Sequence, residues 1–359
     1  MNTQSNKKVR PGVALLVVLF IVMAITILSL GFVARSDVEL ACGQNMLLRT
    51  KMDYLAESGL EHARGLILNP QDVNTVYWDQ PKTFQLTDGS NDYYEVNVDR
   101  DTSDLCDYTI DCNSYRLDGA DTIGQSSLRA VLRIDPCIAY WVGSGTTVSS
   151  ATTINGDVYC GGNLTNNGFI NGDAFAANTI TGTNIEGQSN TFSQAPVDWP
   201  NLSSASFEPI KDDNILTDMQ GSYTGIWYGP GDVIMPGNVT VTGTLVVTGN
   251  LTIDGSNTIT AAKNFPALIV DGQVVMKENS SLVINGLAQI GEGISIDTGN
   301  ADIEVTGGLF INNGGVSDSI TVNVYADPSI ASIDPSSTPG ISARWSPAAG
   351  AFFRSIERR

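Results

Sequence analysis

Apolar positions fall into three regimes along this chain. In the first, residues 13–34 run for 22 positions without a charged side chain. At about 1.5 Å per residue, a helix of that length crosses a bilayer. Lys7, Lys8 and Arg10 precede the run, followed by Pro11 and Gly12. A one-sided basic flank holds its short end in the cytoplasm, so the rest of the chain is expected outside. "SLG" before Phe32 offers small residues at the spacing of an ordinary cleaved signal. Against that, the apolar run is longer than a usual signal core.

The second regime has a helical period. Leu48, Met52, Leu55, Gly59, Ala63 and Leu66 recur every three or four positions and share one face. Arg49, Lys51, Asp53, Glu57, Glu61 and Arg64 leave the other directions polar. This face is expected to pack on the chain's own globular domain, and Gly59 permits a close approach there. No proline intervenes before Pro70, so residues 13–68 predict one rod that Asn69-Pro70 stops. Residues 71–143 then predict a small strand-rich head. Alternating strands are expected near 93–100 and 127–134, separated by a long, acidic, turn-rich insertion.

The third regime begins near residue 145. Short β-branched segments alternate with Asn-Gly, Asp-Gly and Thr-Gly steps, and Gly243, Gly249 and Gly255 are spaced by six. Val239/Val241, Leu245/Val247 and Leu251/Ile253 turn apolar pairs to one side. One short strand cannot bury such a face, but stacked coils can. A parallel β-solenoid is therefore predicted over 145–189 and 231–325. Antiparallel hairpins are the rival, since the same dipeptides make two-residue turns. The short beat argues against them. Residues 190–230 predict a lateral excursion carrying Trp199, Phe207, Trp227 and Tyr228. These aromatics are expected to cover the coil, with a surface protein or glycan ligand as the alternative. Residues 326–359 predict a terminal cap against edge pairing. Their arginines, Arg344, Arg354, Arg358 and Arg359, are expected to meet an acidic head or a neighbour. The fold class is mixed: a long N-terminal α-helix, a small α/β head, then a parallel β-solenoid.

Charge narrows the chemistry. With 38 acidic against 19 basic residues the net charge is -19, which disfavours nucleic acid as a partner. The single histidine, His62, lies in the rod, which strongly disfavours a Ser-His-Asp or Cys-His site in the head or solenoid. Asp302 and Glu304 stand two apart on one strand and resemble a glycosidase carboxylate pair, but any alternating strand makes such pairs and a solvated face is expected. From 231 to 325 the only basic residues are Lys263 and Lys277, too few for an anionic-sugar lyase. Asp99, Asp101 and Asp104 read as a solvated acidic loop rather than a calcium site. No metal or cofactor is expected. The cysteines are Cys42, Cys106, Cys112, Cys137 and Cys160. In an oxidising compartment four of them predict two bridges, Cys106–Cys112 and Cys137–Cys160, with other pairings open.

The order of basic residues, Gly12 and an apolar helix resembles the leader of type IV prepilins and pseudopilins. "AESGLEHA", residues 56–63, is similar to the helix of PilX-type minor pilins. "SYRLDGADTIGQSSLRAVLRI" resembles the paired strands that pack on the rod in pilin-like heads. The resemblance implies that residues 1–12 are a leader, cut between Gly12 and Val13 by a prepilin peptidase. The helix would then stay on the product and pack among the helices of other pilin-like subunits. It also implies an inner-membrane location with an extracytoplasmic domain. Val17 occupies the position where major subunits carry a glutamate, a departure found in some minor subunits. The repetitive region resembles bactofilins and other right-handed β-helical surface proteins; the left-handed hexapeptide fold shares the beat and leaves the hand open. The function implied is a non-enzymatic minor pilin or pseudopilin. A membrane-anchored surface scaffold or adhesin and a carbohydrate-active β-helix enzyme are the alternatives.

Overall fold

The computed structural model describes residues 11–68, 81–102, 106–195, 197–200, 202–209, 214–216, 219–334, 345–348 and 350–358. The expected leader up to residue 10, and Asp104, Arg344 and Arg359, lie outside them, and at 11–13 only the backbone is described.

Helix α1 (Pro11–Leu68) is a single rod of 58 residues, about 87 Å long. Its second half packs on an antiparallel sheet of strands β1 (Lys82–Gln85), β2 (Asp92–Arg100), β3 (Asp107–Asp118) and β4 (Asp121–Asp135). The segment expected as an acidic insertion is largely β3. Tyr108, Ile110, Cys112 and Ser114 alternate inward, and all are buried. The acids between them, Asp107 and Asp111, face outward to Arg133 and Arg129 of β4. Alternation was hidden because charged and turn-forming residues occupy its outer face.

A fifth strand completes this sheet, and it is the chain's C-terminus. Gly350–Arg358 runs antiparallel beside β4. The expected cap of residues 326–359 is therefore only partly a cap. Ala331, Ile333 and Trp345 cover the solenoid flank, while the last strand returns to the head. Arg354 pairs with Asp107 of the head at 3.1 Å, as expected, and Arg358 with Asp53 of the rod at 2.9 Å.

The solenoid is parallel throughout, and its first strand, Ile138–Val142, lies inside the predicted head boundary. One turn takes 16 residues from Val158 to Ala174 and 18 from Thr240 to Thr258. The six-residue glycine beat thus marks corners within a turn. The two halves form one stack in an order the sequence does not suggest. Leu309, Phe310 and Ile311 pair with Tyr140, Trp141 and Val142, and Val322 pairs with Thr152. The second half of the repeat is therefore seated against the first strands of the first half. Inward columns are apolar, as in Val247–Val270–Ile290–Ile311–Val142–Cys160, each fully or almost fully buried.

This order explains the excursion. The chain leaves the outer end at Ser189–Thr191 and re-enters at Ser222–Gly229, at the opposite end of the stack. The crossing segment is laid along an outward column that runs Tyr228, Val246, Ile269, Gln289, Phe310, Trp141, Tyr159. Leu202, Phe207 and Trp199 pack on it. The Gln289 side chain donates to the Leu202 carbonyl at 2.6 Å, and Ser204 bonds Asp271. Trp227 is not part of the crossing. With Tyr223, 4.8 Å away in an edge-to-face contact, it turns inward on the end strand and plugs the core.

The disulfide joins Cys106 to Cys137, with Cα atoms 6.1 Å apart, and the expected pairings do not form. Cys112 lies six positions beyond Cys106, inside β3, about 20 Å along an extended chain. Cys160 sits opposite Val142, five positions up its strand from Cys137. Cys112 and Cys160 are buried thiols, and Cys42 is exposed on the rod. The observed bridge fastens head to solenoid, beside an Arg100–Asp327 ion pair at 2.9 Å. Asp157 completes the joint. Its carboxylate accepts the Cys137 amide at 2.7 Å and the Asp173 amide at 2.9 Å.

Candidate assembly surface

The rod has two halves with opposite surroundings. Residues 48–67 face the head sheet. Met52, Leu55, Ala56, Leu60, Ala63 and Ile67 are buried, each 4% exposed or less. Ala56, Leu60 and Ile67 were not among the predicted face residues, although they stand one position beside or four beyond members of it. Leu48 is half-buried at the edge of the contact. Gly59 is placed as expected, where a Cβ would collide with the Cys112 sulfur and touch the Tyr94 ring. Polar contacts fix the axial position. The Ser114 hydroxyl donates to the Met52 carbonyl at 2.6 Å, and the Ser126 hydroxyl to Asp53 at 2.6 Å.

His62 belongs to this packing. Its Nδ1 is 2.9 Å from the Tyr94 hydroxyl, and its ring lies edge-on to Phe84, with centroids 4.7 Å apart. Burial lowers its pKa. Asp302 and Glu304 are exposed on one strand of the solenoid. No group of three or more His, Cys, Asp or Glu that could hold a metal exists among the described residues.

Residues 14–47 project beyond the head, and all of them are exposed. Leu15, Leu19, Phe20, Ile27, Leu30 and Phe32 are each more than 60% exposed, and Val17 is 50% exposed. A solvated helix gains nothing from such a surface, which would cost about 25 cal/mol per Å² against burial. This is the one described helix long and apolar enough to cross a membrane. Gly12 and Val13 lie in its first turn, where the backbone is helical.

The apolar helix leans its second half on an antiparallel sheet, and a parallel β-solenoid follows. A crystal structure of the competence-associated pilin ComZ from Thermus thermophilus aligns over 87% of this chain and 98% of its own, at 12% identity and a TM-score of 0.31. A resemblance that weak carries no functional inference. No family model matches the chain. No curated protein matches it either.

Proposed function

We propose that the protein is a non-enzymatic minor pilin or pseudopilin of a type IV pilus or of a type II secretion-like filament. The apolar half of α1 packs among the helices of other pilin-like subunits, and the head and solenoid project outward. The observation that supports this reading is the division of one unbroken helix at about residue 48. Beyond that point the chain covers its own helix; before it, none of the described residues does. The flanks, Lys7 to Arg10 and then Gly12, suit cleavage by a prepilin peptidase with Val13 as the new N-terminus.

Terminal sequencing of the protein extracted from its native membrane tests this. A start at Val13 supports a retained assembly helix. A start at Phe32 or beyond removes most of the apolar half and sinks the reading. An intact Met1 start favours the second reading, a membrane-anchored surface scaffold. Val17 favours that second reading in one respect, because a glutamate at this position is associated with subunit registration in the pilin family.

A further inference from the structure

Where α1 leaves the head, a groove of about 560 Å³ lies between the rod and the β3–β4 hairpin. Its walls are apolar, formed by Leu47, Leu48 and Tyr54 of the rod and Ile123 of the hairpin. Leu47 is 72% exposed, Tyr54 66% and Ile123 49%, so this chain leaves them uncovered. Its rim is basic. Lys51 Nζ lies 2.6 Å from Asp92 Oδ2, and Arg116 Nε lies 2.9 Å from Asp92 Oδ1. Two cations share one buried carboxylate, which leaves a net charge of +1 on a chain that is otherwise strongly acidic. Both cationic side chains remain partly exposed.

The exposed half of α1 carries the complementary pattern. Over residues 14–47 its only charged side chains are Arg35, Asp37 and Glu39. Arg35 and Glu39 pair with each other at 2.9 Å, leaving a net charge of -1 from Asp37. On the N-terminal side of this patch the helix is apolar, and on its C-terminal side Leu40 and Ala41 precede Gln44 and Asn45. An apolar helix with one anionic site thus faces an apolar groove with one cationic site, and the groove is continuous with the exposed surface of the rod.

We infer that this groove receives the exposed helix of a second copy of this chain, with the neighbour's Asp37 beside Lys51 and Arg116. The inference rests on the assembly reading above and adds a surface and a register to it. Asp37 and Lys51 are 14 residues apart on the same helix, so the two copies are staggered by about 21 Å along the rod. That stagger brings the neighbour's Val33 level with Leu47, beside Ile123. Two rods inserted at equal depth in one membrane cannot make the contact, so it belongs to the assembled state.

The register can be read by thiol crosslinking of the full chain in a Cys42→Ser background. Copies carrying Val33→Cys and Ile123→Cys are co-expressed, assembled and treated with a short bifunctional thiol reagent. The expected product is a 33–123 crosslink in assembled material. Its yield should fall roughly two- to five-fold with Asp37→Lys, the range for an exposed ion pair, and survive Asp37→Glu. Raised salt should lower it as well. Crosslinks between two copies at position 33, or from 33 to other pilin-like subunits, with none to 123, would overturn the groove and leave the proposed function standing. No crosslink from position 33 to any subunit would overturn both. A 33–123 product unaffected by Asp37→Lys would overturn the charge register.

Discussion

Trp141 and Phe310 are register partners on adjacent strands, with ring centroids 5.5 Å apart, although nearly half the chain separates them. They mark the joint between the two solenoid halves. Phe310 is fully buried and also meets Trp199 and Trp345 at 5.5 and 5.4 Å. Strand stack, crossing segment and C-terminal region converge on this one ring. Phe310→Ala is expected to cost about 3–5 kcal/mol. Phe169→Ala, at an outer position that is 37% exposed, should cost far less. Urea denaturation of the detergent-extracted chain, followed by tryptophan fluorescence, compares the two. Equal losses would mean that the halves do not depend on this joint.

Inside the stack, Val247 and Thr248 are neighbours with opposite surroundings. Val247 is fully buried between Gly229 and Val270. Thr248 sits at the corner, where its hydroxyl accepts the Gly231 amide at 2.6 Å. Val247→Asp puts a carboxylate into the shared core at a cost of several kcal/mol, about 3 or more, unless it is protonated. Thr248→Asp keeps an acceptor near water and should cost about 1 kcal/mol or less. Comparable small losses in the same urea experiment would sink the inward register.

The same residues show what was legible beforehand. Val247, Ile253 and the six-residue glycines announce stacked strands, because inward alternation and corner turns are local. The order of the strands is not local. The contact of Phe310 with Trp141 and the return of Gly350–Arg358 to β4 depend on which strand edges are left open, and no short window contains that. On the rod, Met52, Leu55, Gly59 and Ala63 were legible from spacing alone, and they are buried. Spacing could not say which neighbour buries them. The cysteine pairing failed for a related reason: closeness in sequence suggested Cys106–Cys112, while an extended strand drives those two apart. No sequence signal located the groove, because its rim needs Asp92 to bring Lys51 and Arg116 together.

The disulfide offers a direct check. Non-reducing peptide mapping of exported protein should find Cys106 linked to Cys137, with Cys112 and Cys160 as thiols. Burial pushes the Cys112 thiol up to about 12, which keeps it unreactive in the folded state. Cys137→Ser should cost about 2–4 kcal/mol, in line with closure of a loop of 31 residues. A Cys106–Cys112 peptide would contradict the extended course of β3.

Gly59 sets two tendencies against each other. In an isolated helix, Gly→Ala is favourable by about 1 kcal/mol. Here the new Cβ would press on the Cys112 sulfur and lie 3.0 Å from Tyr94 Cδ2. Overpacking of about 1–3 kcal/mol should win, so Gly59→Ala is expected to destabilise the head. Adding Cys112→Ala to that variant should recover part of the loss, because the sulfur is the closer obstacle. A double-mutant cycle by thermal melting reads the coupling. Purely additive effects would mean that α1 does not sit this close to β3.

Asp157 gives the joint a pH dependence whose sign is fixed by its surroundings. Burial raises its pKa from 3.8 to about 6, outweighing the amides of Cys137 and Asp173 and the charge of Arg133, which favour the carboxylate; Asp173 nearby adds to the rise. The folded state therefore holds this proton more tightly than the unfolded chain. The stability linked to it is fully present below pH 3.8 and is lost as pH rises through about 6. The span corresponds to roughly 3 kcal/mol at most. Asp157→Asn removes the titration, so the Asn variant is the reference for every other acid in this acidic chain. Between pH 7.5 and 4.5, as approximate experimental limits, wild type should gain stability relative to the variant as pH falls. Urea midpoints of both proteins across that window measure the gap. A difference that stays constant would show that Asp157 is solvated, and a wild type that loses stability relative to the variant toward acid would show that its amide contacts dominate over burial.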